Sequence, residues 1–128
     1  MIVSIGTDIC SYHRIAMALR RHGNRFVQRI LSDRERCDFA DLGEASRTAY
    51  LCKRFAAKEA VAKALGTGIG DGISWQNIEV RRRKSAAAQV LLSGAAQERA
   101  CTLGAEVIHL SLSDEKDFAL AFVIFEAR

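Results

Sequence analysis

Proline is absent from all 128 residues. So is any low-complexity stretch or internal repeat, and nothing reads as a linker between domains. The length suits one domain spanning residues 1–128. No apolar run reaches the ~18–20 residues that a membrane-spanning helix needs. The chain does not open with a basic segment, an apolar stretch and a small-residue cleavage site, so no secretory signal is read and a cytoplasmic location is expected. The four cysteines, Cys10, Cys37, Cys52 and Cys101, form no Cys-x-x-Cys pair. That removes the usual zinc and thioredoxin-like spacings, and free thiols are expected. Aromatic residues make up only 7%, few for a surface that stacks bases.

What is present is a globular balance of 49% hydrophobic and 27% charged residues. The net charge is +4 and the isoelectric point about 9.1. Such a charge fits an anionic partner: nucleic acid, a phosphorylated cofactor or an acidic protein. It does not choose among them.

The pattern predicts an α+β fold: a small antiparallel sheet packed with one long helix and several short ones. A short strand, Ile2-Val3-Ser4-Ile5, ends near Gly6. A helix follows from Ser11 to His22, stopped by Gly23. Asn24 caps a second helix carrying Phe26, Val27, Ile30 and Leu31. Ser32-Asp33-Arg34-Glu35 is a capping box that opens a third helix ending near Gly43. The long helix runs from about Ser46 to Leu65, and Gly66 supplies its permissive C-terminal residue. A loop spans Gly66 to Gly72. Ile78 to Arg83 and Gln89 to Leu92 read as a hairpin, and Ala95 to Leu103 as a helix stopped by Gly104. Val107 to Leu112 alternates like a half-buried strand, Asp114-Glu115-Lys116 turns, and Phe118 to Glu126 returns. That last strand is apolar on both faces and needs cover on both. Either a second subunit or a helix on each face would provide it.

Two segments carry most of the chemistry. Gly6-Thr7-Asp8 puts a carboxylate just after the first strand. Arg54 to Ala64 puts Glu59 only ~40° from Phe55 at 100° per residue, on the edge of an apolar stripe. A carboxylate there is costly unless its charge is compensated. Lys63, one turn on, is one candidate. A divalent cation shared with Asp8 is another, since hard cations take oxygen ligands. The plainer reading has Asp8 capping the next helix and Glu59 paired with Lys63. The glycine loop Gly66-Thr67-Gly68 lacks the Gly-Lys-Ser/Thr of a Walker loop and follows a helix rather than opening one. Its amides form either an anion-binding nest or an ordinary turn. His109 lies on the polar face of its strand with Ser111 and Ser113. Arg14 and Arg21 share a helical face, with Arg25 close in sequence. They make either a dock for an acidic amphipathic helix or a solvated face. The run Arg81-Arg82-Arg83-Lys84 is either a nucleic-acid patch or the decoration of an exposed hairpin.

These segments resemble the holo-acyl-carrier-protein synthases, small phosphopantetheinyl transferases. That family opens with strand-Gly-x-Asp, here Gly6 to Asp8. Arg-Phe-Ala-x-Lys-Glu-Ala-x-x-Lys-Ala follows, here Arg54 to Ala64. Gly-Thr-Gly stands at Gly66 to Gly68, and His-x-Ser-x-Ser-Asp-Glu at His109 to Glu115. Four motifs in the family's order span nearly the whole chain. Where the family commonly has a Gly-Lys-Pro turn, this chain has Ser85-Ala86-Ala87-Ala88. The resemblance implies transfer of 4'-phosphopantetheine from coenzyme A to a serine of apo-acyl carrier protein, in fatty acid biosynthesis. It implies Mg2+ on Asp8 and Glu59, and Lys63 acting on phosphate. Coenzyme A would be bordered by Arg54, Lys63, Gly66, Thr67, Gly68 and His109. Carrier protein would dock at Arg14, Arg21 and Arg25, and the assembly would be a homotrimer with sites between neighbours. The serine proton goes either to Glu59 or to a water at the metal. The rival from another class is a basic nucleic-acid-binding module, which the family resemblance does not imply.

Overall fold

A computed structural model of the chain describes residues 1–82 and 87–128. Its first strand, β1 (Ile2–Ser11), runs well past Gly6. It pairs antiparallel with β5 (Phe118–Glu126), which pairs antiparallel with β4 (Val107–Asp114), giving the order β1-β5-β4. A separate two-stranded sheet joins β2 (Ile78–Arg81) to β3 (Gln89–Leu92). The α+β expectation holds, with two sheets in place of one. Residues 83–86 of the expected hairpin, with part of the arginine run, lie outside the described residues.

The helices are α1 (Tyr12–His22), α2 (Asn24–Ile30), α3 (Asp33–Ala40), α4 (Glu44–Ala64) and α5 (Gly94–Leu103). A single 3-10 turn covers Trp75–Asn77. The long helix α4 lies against β1 and β5. Small residues let it come close. Ala56, Ala57, Ala60 and Ala64 are buried on α4, and Ala119 and Ala121 on β5.

Gly6, the expected end of the strand, sits in mid-strand because α4 passes directly over it. A Cβ at Gly6 would lie 2.0 Å from the Ala60 carbonyl oxygen. The crossing is held at both ends. Ser4 Oγ donates to the Ala64 carbonyl at 2.7 Å, and Cys52 Sγ donates to the Cys10 carbonyl at 3.4 Å. The strand and the helix therefore run antiparallel, with Asp8 between the two anchors. Cys10 and Cys52 are free buried thiols. Hydrogen bonding to Cys52 and burial push the Cys10 thiol well above its ordinary range, so it is no thiolate nucleophile.

Among the described residues the last strand is covered on one face only. Ala119, Ala121, Val123 and Phe125 are buried under α4, whereas Phe118, Leu120 and Phe122 are exposed. The alternative of a helix on each face is not what the chain builds. In register, Ile9 faces Leu120 and Ile5 faces Ile124, so the uncovered apolar surface continues onto β1.

The capping box forms as expected, since the Ser32 hydroxyl accepts from the Glu35 amide and Glu35 accepts from Ser32 N. Glu35 does more than cap. It is buried against Lys58, whose Nζ lies 2.5 Å from Oε1. The ammonium also donates to the carbonyls of Ile30 at 2.7 Å and Trp75 at 3.1 Å. Glu35 Oε2 takes the Val80 amide at 2.9 Å. Burial pulls the Lys58 ammonium below the usual lysine range, against the opposing pull of Glu35. With all three ammonium protons used, the pair ties α2, α3, the 3-10 turn and β2 to α4.

Candidate active site at the crossing of β1 and α4

Asp8 is on the inner face of β1, 18% exposed, where it meets α4. Lys63 Nζ donates to Asp8 Oδ1 at 3.1 Å and to the Thr7 carbonyl at 2.9 Å. The Glu59–Lys63 ion pair of the plainer reading is therefore not what forms. The close passage of α4 over Gly6 gives the lysine a carboxylate and a carbonyl on the strand, better partners than its own helix offers. Asp8 does not cap α1 either. Ser11 does, its hydroxyl accepting from the Arg14 amide at 3.4 Å.

Glu59 sits one turn before Lys63, half-buried. Its Oε1 accepts the indole N–H of Trp75 at 3.0 Å. Lys63 and Asp8 thus meet at the crossing, with Glu59 one helical turn before Lys63 on the same side of α4. Among the described residues no group of three or more His, Cys, Asp or Glu gathers to hold a metal. Two carboxylates are nonetheless sufficient for a hard cation that keeps waters and phosphate oxygens in its remaining positions. The Lys63 ammonium against Asp8 shows that this position already accommodates positive charge.

The glycine loop starts just past the last turn of α4, the turn that carries Lys63. Gly66 and Gly68 have φ of +81° and +67°, a region open to glycine at little cost. Their amides turn back onto the helix, to the carbonyls of Lys63 at 2.9 Å and Ala62 at 3.1 Å. These two N–H groups cap α4 instead of standing free as an anion nest. Thr67 Oγ1 donates to the Gly68 carbonyl at 2.9 Å.

Other expected site residues are more distant. Arg54 lies ~140° around α4 from Glu59, 7% exposed, with its guanidinium 4.1 Å from the centre of the Tyr50 ring. Burial pushes the Tyr50 phenol up to about 12, so the ring beneath the cation stays neutral. Arg54 Nε is buried with no hydrogen-bond partner among the described residues. His109 is exposed on the outer face of β4, 3.8 Å from Glu126. Its register opposite Ile124 places it on the uncovered side of the sheet, away from Asp8.

Arg14, Arg21 and Arg25 are all exposed. Arg14, Met17 and Arg21 line a shallow depression of about 660 Å³ along α1. Arg25, Phe26 and Arg29 line a second, of about 330 Å³. His22 borders both, so the arginines edge one basic strip with apolar floor residues.

Sequence reasoning missed Lys58 and Trp75. The spacing of Lys58 beside Glu59 carries no sign of a partner 23 residues earlier. Trp75 is the sole tryptophan and follows the glycine loop closely, a signal that was available.

Residues 4–123 match the 4'-phosphopantetheinyl transferase superfamily, and this chain belongs to it. The chain is 47% identical to the holo-[acyl-carrier-protein] synthase of Vibrio parahaemolyticus, over 98% of each chain. Its fold superposes on the crystal structure of the Neisseria meningitidis holo-[acyl-carrier-protein] synthase with a TM-score of 0.90 at 40% identity, covering 98% of this chain and 99% of that one. The Bacillus anthracis holo-(acyl-carrier-protein) synthase, solved in complex with CoA (3',5'-ADP), superposes with a TM-score of 0.84 at 38% identity, over 100% and 99% of the two chains.

Proposed function

We propose that this chain transfers the 4'-phosphopantetheine group of coenzyme A to a serine hydroxyl of an apo-acyl carrier protein, releasing adenosine 3',5'-bisphosphate, a step that serves fatty acid biosynthesis. The observation that carries the reading is the contact of Lys63 with Asp8 across the strand–helix crossing, with Glu59 one helical turn before Lys63, in a chain of this superfamily. The serine oxygen attacks the β-phosphoryl group, and the bond to the bridging oxygen of the departing nucleotide breaks.

Asp8 and Glu59 would hold Mg2+, which would neutralise charge on the pyrophosphate and the leaving group. Lys63, 54% exposed and held only by Asp8 and a carbonyl, turns its charge to a phosphate when one arrives. Glu59 uses one oxygen for Trp75 and has a second with which to accept the serine proton. Gly66, Thr67 and Gly68 border the phosphates beside Lys63. Arg54, with its unpartnered buried Nε, is a further anchor for the anionic coenzyme. His109 reaches a coenzyme from the outer sheet face, which fits a homotrimer whose neighbouring copies complete each site. No helix among the described residues is long and apolar enough to cross a membrane. Superfamily membership sets aside the rival reading as a nucleic-acid-binding module. Incubation with apo-acyl carrier protein, coenzyme A and Mg2+ should yield a phosphopantetheine adduct by mass spectrometry. No adduct from clean, folded protein would end the proposal.

Lys63→Ala should weaken coenzyme A binding by about tenfold, the loss of one charge-assisted contact of roughly 1.5 kcal/mol. Calorimetry reads this directly, and unchanged affinity would leave Lys63 a partner of Asp8 alone.

Carrier protein is expected on the basic strip of α1 and α2. Arg14→Glu, or Arg21→Glu with Arg25→Glu, should raise the KM for carrier protein by about tenfold or more, with coenzyme A affinity nearly unchanged. The reaction should also slow as salt rises, since exposed charges are screened beyond ~8–10 Å. Arg82→Glu is the control. If it raises KM as much, net charge explains the attraction and the dock is wrong.

A further inference from the structure

We propose that Trp75 is a positioning residue for Glu59, setting the direction of that carboxylate at the metal-binding position. The claim rests on the assignment of Glu59 above. A glutamate side chain has three rotatable torsions, and two oxygens are few ligands for a metal. Its orientation therefore has to be fixed by something outside the carboxylate. The indole N–H is that partner, at 3.0 Å from Oε1.

A hydrogen bond positions its acceptor only if the donor is itself held, and Trp75 is held on several sides. Phe55, one turn before Glu59 on α4, stacks on the indole with ring centroids 6.2 Å apart and planes inclined by 28°. Arg29, from α2, places its guanidinium 5.2 Å from the ring centroid, within cation–π range. The backbone of Trp75 is fixed as well, since its carbonyl accepts from the buried Lys58 ammonium at 3.1 Å. Consecutive residues of α4 thus grip the tryptophan at two points, Lys58 by its carbonyl and Glu59 by its indole. The 3-10 turn supplies the right backbone for this, because Ser74 and Asn77 close a capping box around Trp75.

The arrangement also gives the buried Lys58–Glu35 pair a use beyond stability. The pair anchors the Trp75 backbone, and the indole aims Glu59. A donor that shares its acceptor with a metal takes one lone pair and leaves the rest pointing in a defined direction. Partners of this kind typically change metal affinity or activity by about 10–100-fold when removed.

Trp75→Phe removes the N–H while keeping a ring against Phe55 and beneath Arg29. The protein without substrate is titrated with Mn2+ and free metal is read by electron paramagnetic resonance. Binding should weaken by about tenfold and kcat should fall by a similar factor, with KM for carrier protein and the melting temperature close to the parent. Glu59→Ala runs alongside. If Trp75→Phe binds Mn2+ and turns over normally while Glu59→Ala loses both, the positioning claim is overturned and the role of Glu59 stands. If Glu59→Ala itself binds and turns over normally, both claims fall. A Trp75→Phe protein that melts early yet keeps parental Mn2+ affinity shows a structural tryptophan only, and also overturns the claim. Because the chain has one tryptophan, its fluorescence reports this residue alone. Glu59→Gln should shift the emission of Trp75, and Mn2+ should quench it in the parent; emission insensitive to both would overturn the contact.

Discussion

Asp8→Ala and Glu59→Ala should each lower turnover by about 100-fold or more, while the proteins remain folded. Two carboxylates are few protein ligands for a magnesium ion that fills its other positions with waters and substrate phosphates. Losing one costs the transition state several kcal/mol, and each ~1.4 kcal/mol is tenfold in rate. The folding side is much smaller. Asp8 pairs with a lysine that is 54% exposed, and such pairs contribute about 0–1 kcal/mol. Glu59 is half-buried and receives one hydrogen bond from a half-buried indole. The melting temperature should therefore move by no more than about 4–8 °C in either variant. The two substitutions differ in one respect. Asp8→Ala also releases Lys63, so coenzyme A binding without metal should be kept or strengthened in Asp8→Ala. Turnover near the parental rate for either variant at limiting Mg2+ would remove that residue from the site.

Local signals were legible where local rules decide the outcome. Ser32 to Glu35 bonds as a capping box, and Gly23 ends α1 with a φ of +57°. The boundaries of β5 follow from its apolar run. The errors came where tertiary contact overrode a local sign. Gly6 looked like a strand end because glycine weakens strands, but its missing Cβ is needed by Ala60, 54 positions further on, and no local pattern reveals that neighbour. Lys63 sits at the right spacing to pair with Glu59, yet the strand placed over it offered Asp8. Lys58 was passed over for a similar reason. Its partners Glu35, Ile30 and Trp75 come from α3, α2 and the 3-10 turn, brought together only by their packing on α4. The chemistry of the site was more legible than its geometry. The ordered motifs name Asp8, Glu59 and Lys63, and the fold sets Lys63 against Asp8 with Glu59 one helical turn away. They also name Arg54, which is buried on another side of α4, and His109, which is exposed on the outer face of β4. Periodicity shows that α4 has faces, but not which face another copy of the chain would approach.

Adjacent residues of β5 provide the sharpest test of assembly. Phe122 is 40% exposed on the outer face, and Val123 is fully buried under α4. The same change, to aspartate, should do two different things. In Val123→Asp a carboxylate enters an apolar layer with no cation provided for it. The cost is several kcal/mol, a large share of the ~5–15 kcal/mol that holds a domain of this kind together. This variant should be largely unfolded by circular dichroism at room temperature. In Phe122→Asp the charge points to water in an isolated chain, so each copy should keep its fold and its far-ultraviolet spectrum. What it should lose is partnership. Phe122 lies opposite Thr7 on β1 and Ser111 on β4, with Leu120 and Ile9 one pair along. Together with exposed Ile5 and Phe118 they form the apolar face that a second copy would cover. A carboxylate buried there on association would be opposed by its desolvation, repeated in every copy of a symmetric assembly. Light scattering should show trimers for the parent at micromolar concentration and monomers for Phe122→Asp, with turnover lost because His109 would no longer have a neighbour's coenzyme to reach. A parent protein that scatters as a monomer while fully active would refute the shared site. A Phe122→Asp monomer with parental turnover would separate assembly from catalysis and return His109 to a structural role.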